Sequence, residues 1–137
     1  MQLFALEDIT FNTAATGDLK GSTPSCVDSN VERYEVSLDT ANEFKLAAGS
    51  APAADGIPYT LTYSQKGLTD LVWGAWGSGH LGPGVAAGDF SIDGPIGGKT
   101  CSPALDSKIT VDIKEADYTG KATGSYSDTV TVVVSSK

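Results

Sequence analysis

Apolar and polar residues alternate along four stretches of the chain. Tyr34, Val36 and Leu38 alternate with Glu35 and Ser37, Tyr59, Leu61 and Tyr63 with Thr60 and Thr62, and Ile109, Val111 and Ile113 with Thr110 and Asp112. The closing stretch sets Tyr126, Asp128, Val130, Val132 and Val134 on one face and Ser127, Thr129, Thr131 and Val133 on the other. Successive side chains of a strand point to opposite faces, so each stretch predicts a strand that buries one side. Shorter candidates at Ala5 to Phe11, Glu43 to Ala47, Leu71 to Trp76 and Phe90 to Ile92, bounded by Gly, Pro, Asp or Ser, bring the expectation to seven or eight strands. Between Gly67 and Gly98 stand ten glycines, which predicts one or two strands joined by long loops. Helical periodicity is nearly absent. Short strands without βα alternation predict an all-β fold, an antiparallel β-sandwich with immunoglobulin-like strand order, in a single domain over residues 1–137.

Composition agrees with that picture. The 137 residues are 40% hydrophobic and 19% charged, enough apolar material for one core. The formal charge of −8 argues against nucleic acid or anionic lipid as a partner, since both demand a basic face. No apolar run reaches the 18 residues that a membrane-spanning helix needs, so no membrane insertion is expected. Cys26 and Cys101 belong to no CxxC pair. They read as a structural disulfide closing a long loop, which persists outside the cytosol; the alternative is two buried free thiols. The start, MQLFALEDITF, lacks the basic and apolar regions of a signal peptide, so secretion would mean that a leader has been removed.

Candidate chemistry is sparse. The single histidine, His80, lies in a glycine-rich loop, no GxSxG elbow accompanies it, and it reads as a solvent-exposed loop residue. The carboxylate pairs Asp89 with Asp93 and Glu115 with Asp117 lack the surroundings of a calcium loop, so turn and surface roles are expected, with no metal and no cofactor. Nothing here points to an enzyme. Trp73 and Trp76 are the candidate ligand-contact aromatics, because exposed rings on a sandwich rim stack on sugars; with Tyr59 they would form the platform of a carbohydrate-binding module. The other reading of Trp73 is core.

The closing run ATGSYSDTVTVVVSS resembles the C-terminal signature GxYxDTVTVTV of the spore coat protein U domain family, the pilins of archaic chaperone-usher pili. Gly124, Tyr126, Asp128, Thr129, Val130, Thr131 and Val132 occupy the matching positions. ITFNT is similar to the family's early strand, and PSCVDSNVERYEVSLD to its Cys-containing second strand leading into an alternating one. A Trp-Gly pair, Trp73 and Gly74, after Leu61, Thr62 and Tyr63 also agrees. The resemblance implies a sandwich that lacks its last strand and is completed by a donor strand. It implies Tyr126, Val130, Val132 and Val134 as the residues lining the donor-strand groove. It further implies a structural or adhesive subunit of a bacterial surface pilus, whose partners are a periplasmic chaperone and then neighbouring subunits. A host or abiotic surface is a further contact. Such a subunit passes through the periplasm and ends in a cell-surface fimbrium. Two features depart from the family: its first-strand cysteine is missing, and no separate N-terminal donor extension stands out. Gln2 to Phe11 could itself donate, with Leu3, Ala5, Glu7, Ile9 and Phe11 on one face.

Overall fold

A computed structural model describes residues 2–4, 9, 11, 17–28, 33–47, 56–65, 69–74, 79–91, 107–121 and 126–137, with the backbone alone at 2–4, 26, 28 and 91. The strands are β1 (Gln2–Phe4), β2 (Leu19–Asp28), β3 (Arg33–Thr40), β4 (Lys45–Leu46), β5 (Ile57–Pro58), β6 (Thr60–Gln65), β7 (Leu71–Gly74), β8 (Ala86–Ser91), β9 (Ser107–Ile113) and β10 (Val130–Ser136). One short helix, α1 (Glu115–Tyr118), follows β9. The strands form a five-stranded sheet in the order β1-β2-β9-β6-β7, a three-stranded sheet β10-β3-β8 and a two-stranded sheet β4-β5. All the ladders within them are antiparallel. The all-β expectation therefore holds. A closed sandwich with immunoglobulin-like order is not seen among the described residues.

The alternating stretches become strands because one face of each meets a common core. Tyr34, Val36 and Leu38 of β3, Leu61 and Tyr63 of β6, and Ile109, Val111 and Ile113 of β9 are all buried in one cluster. Burial stabilises such side chains by about 1.5–3 kcal/mol each relative to exposure. The Tyr34 and Tyr63 hydroxyls share a hydrogen bond of 2.8 Å, which joins the five-stranded to the three-stranded sheet and satisfies two buried polar groups at once. Phe90 of β8 meets the Tyr63 ring edge-on at 4.8 Å between centroids.

β2 carries no alternation of apolar residues. Its buried positions include Thr23 and Ser25, and the Ser25 hydroxyl lies 2.7 Å from that of Ser107 on β9. Ser107 also donates to the Ser25 carbonyl at 2.9 Å. Small hydroxyl residues thus hold the two strands close with their polar groups paired. Ile9 and Phe11 close over Gly21, where a Cβ would stand 2.5 Å from Ile9 and 3.2 Å from Phe11. Below β9, Asp18 accepts the Glu115 N–H at 2.9 Å and the Tyr118 hydroxyl donates to the Gly17 carbonyl at 2.6 Å, so α1 ties the start of β2 to the end of β9.

Candidate functional site

β10 forms one edge of the three-stranded sheet. It pairs with β3 from Val130↔Thr40 to Ser136↔Tyr34 without interruption, and no strand among the described residues lies on its other side. The Ala41 N–H donates to the Thr129 carbonyl at 3.0 Å, and the Lys137 N–H to the Arg33 carbonyl at 3.1 Å. Hydrogen-bonded and non-hydrogen-bonded pairs alternate along an antiparallel ladder, so the odd-numbered residues of β10 bond to β3. Val130, Val132, Val134 and Ser136 consequently turn their backbone N–H and C=O groups outward. Over seven residues this edge runs roughly 23 Å.

The side chains follow the same parity. Val130, Val132 and Val134 are half-buried and pack on the core, as does Tyr126, whereas Thr131 and Val133 face out and Val133 is 48% exposed. Val130, Val132 and Val134 therefore share the inward face and the free edge, whereas Tyr126 precedes β10 and shares only the packing on the core. A strand added beside β10 would bond to the outward backbone groups and could cover the remaining exposed surface of the valines.

Among the described residues, every other sheet margin carries a device that discourages pairing. β8 has a register irregularity opposite Tyr34 and Val36, a left-handed Gly88 with φ 95°, and the charged Asp89. Arg33 holds that carboxylate through contacts of 2.7 and 2.6 Å, and pulls Asp89 below the usual carboxylate range. β7 is covered by Leu81, whose N–H donates to Val72 at 2.8 Å and whose carbonyl accepts from Gly74 at 3.2 Å. β1 is three residues long, β2 carries Pro24 beyond the reach of β1, and β4 and β5 have two residues each. β10 has no charge, proline, glycine or bulge along its length.

The approach to β10 is held by Asp128. Its carboxylate accepts the Tyr59 hydroxyl at 2.6 Å, the Asn42 N–H at 3.1 Å and the Thr129 N–H at 2.8 Å. Tyr59 is buried, and burial together with the Asp128 carboxylate raises its phenol far above the ordinary tyrosine range, against a smaller opposing effect of Thr40. One residue earlier, Ser127 exchanges two backbone hydrogen bonds of 2.9 Å with Ala47.

No family model, curated protein or solved structure matches this chain. The pilus and chaperone-usher membership suggested by the closing run is corrected accordingly, because no family model extends it to this chain. The disulfide is corrected as well. None is present among the described residues, where Cys26 appears as backbone in β2; Cys101 lies outside them.

The remaining candidates fall in different places. Trp73 is fully buried and its indole N–H donates to the Val85 carbonyl at 2.9 Å, so it is a core residue and offers no face to a sugar. Tyr59 is buried in the same core, and Trp76 lies outside the described residues. His80 is half-buried, not solvent-exposed, with Nδ1 shielded from water. No group of three or more metal-ligating side chains occurs among the described residues, and Asp93 lies outside them. Among the described residues, no helix is long and apolar enough to cross a membrane.

Proposed function

We propose that this chain is a structural subunit that assembles with other protein chains by accepting a β-strand along the free edge of β10. In this reading the fold is an immunoglobulin-like sandwich short of its last strand, and the neighbouring subunit supplies that strand. The observation that carries it is the contrast between edges: β10 alone among the described strands is long, uncharged and regular, with half-buried valines beneath an outward row of backbone groups. An edge of this kind is a template for strand addition, and proteins that do not use one usually blunt it. The resemblance of the closing run supports a bacterial surface fibre, structural or adhesive, as the polymer. No catalytic step is required, since association follows from backbone pairing and apolar burial.

The test separates edge from fold by parity. Val132→Pro removes an outward N–H and leaves the β3 ladder whole, whereas Val133→Pro removes a bond to β3 itself. Sedimentation of the wild-type chain should show concentration-dependent assembly, and melting should rise with an added peptide of residues 2–11. Val132→Pro should stay folded and lose both responses. A folded wild-type chain that remains monomeric at all concentrations and ignores the peptide would sink the reading.

A further inference from the structure

We infer that Asp128 fixes the register of β10, and so decides which valines and which backbone groups the open edge presents. The inference deepens the strand-accepting reading and rests on it for its functional consequence.

The residues of β10 do not fix that register by themselves. A slip of one residue would turn Thr131 and Val133 inward in place of the valines, and the core disfavours it because hydroxyls would replace methyl groups. A slip of two residues keeps every side chain on its face. If Val132 took the place opposite Thr40, then Val132, Val134 and Ser136 would stand where Val130, Val132 and Val134 stand now, an exchange of one valine for a serine at the strand's end. Backbone pairing is indifferent to the choice, and so is the Ser127 bridge to Ala47, because any residue could make those bonds.

The Asp128 side chain is what distinguishes the registers. Its Oδ2 meets the Tyr59 hydroxyl at 2.6 Å, and its Oδ1 meets the Asn42 N–H at 3.1 Å. Both partners are fixed points. The Tyr59 ring is buried and the Tyr59 backbone N–H donates to the Phe44 carbonyl at 3.0 Å, while Asn42 stands two residues past the end of β3, the strand against which β10 is registered. A two-residue slip would carry Asp128 roughly 7 Å, out of reach of both donors. It would also leave a core phenol without its acceptor, a costly outcome for a buried polar group. Asp128 is thus a positioning residue that acts through Tyr59 and Asn42.

The experiment reads register directly. In the full-length chain, nuclear Overhauser contacts between Hα atoms should connect the non-hydrogen-bonded pairs Val132–Leu38 and Val134–Val36. Asp128→Ala should add a second set, Val132–Thr40 and Val134–Leu38, while Asp128→Asn, which keeps an oxygen for the Asn42 N–H and turns an amide N–H to the Tyr59 hydroxyl as its acceptor, should retain the first set alone. A folded Asp128→Ala variant that shows the first set only, however far its melting temperature drops, overturns the inference. Should Asp128→Ala fail to fold, Tyr59→Phe decides, since it removes one donor and keeps the ring: a second set supports the inference, and its absence overturns it. Assembly is scored separately by sedimentation. A monomeric wild-type chain with the first set of contacts would refute strand acceptance and leave the role of Asp128 standing.

Discussion

At Glu43 and Phe44 the backbone enters the left-handed region, with φ of 53° and 59°, and neither residue is glycine. The Lys45 N–H donates to the Asn42 carbonyl at 3.1 Å across them, closing a tight corner after β3. Left-handed geometry costs an L-residue about 1 kcal/mol or more, and here the surroundings impose it. Thr40 Oγ1 accepts the Phe44 N–H at 2.7 Å, Phe44 is buried edge-on against Tyr59, and Asp128 holds Asn42. Glu43 is exposed, so Glu43→Gly should relieve its share and raise unfolding stability by about 1 kcal/mol in a denaturant titration. No gain would mean that the corner is not strained in solution. Tyr59 yields a second expectation. Because its phenol is raised in the folded state, its contribution is fully present below pH about 10, the unfolded tyrosine value, and is lost as pH rises from there toward the folded value. Wild-type stability should fall more steeply above pH 10 than that of Tyr59→Phe, and parallel curves would show that the phenol ionises as freely folded as unfolded.

Among the strands, Gly74 is hemmed in by backbone, whereas Gly21 and Gly88 are approached by side chains. A Cβ there would lie 2.9 Å from the Thr60 Cα and 3.0 Å from the Tyr59 carbonyl, backbone atoms that cannot swing aside. Gly74→Ala should therefore pry β7 from β6, cost more than about 1 kcal/mol, and speed amide hydrogen exchange at Trp73 and Val72; unchanged exchange would refute the close approach. The neighbouring strands show what a sequence discloses. β3, β6 and β9 were legible because each sets a row of large apolar side chains against one core. β2 was not: its buried residues include Thr23 and Ser25, and the reason lies across the sheet in Ser107, 82 residues from Ser25. Only the resemblance of its Cys-containing half pointed to a strand. The same distinction divides the site. Val130, Val132 and Val134 could be read from their alternation, but the role of Asp128 depends on Tyr59 and Asn42, 69 and 86 residues away. That β10 is an edge is a property of topology, which no stretch of local sequence carries. Trp73 shows the converse, since an aromatic residue in a glycine-rich stretch looks available until the Val85 carbonyl is found at its indole N–H.

For the molecule as a whole, net charge acts against the edge pairing proposed above. The chain carries a formal charge of −8, so two copies brought edge to edge repel at long range, while β10 itself contributes no charge to the contact. Attraction along the edge comes from backbone hydrogen bonds and the burial of half-exposed valines, neither of which salt weakens appreciably. Raising ionic strength from about 0.01 M to about 0.15 M shortens the screening length from roughly 30 Å to roughly 8 Å, and should therefore strengthen assembly. The apparent mass in sedimentation should rise across that range at fixed protein concentration, and Val132→Pro should not follow it. Dissociation on adding salt would instead reveal an interface built on ion pairs. The exposed Arg33–Asp89 pair beside β8 would then be the first place to look, because it is the charged contact nearest the opposite edge of the same sheet.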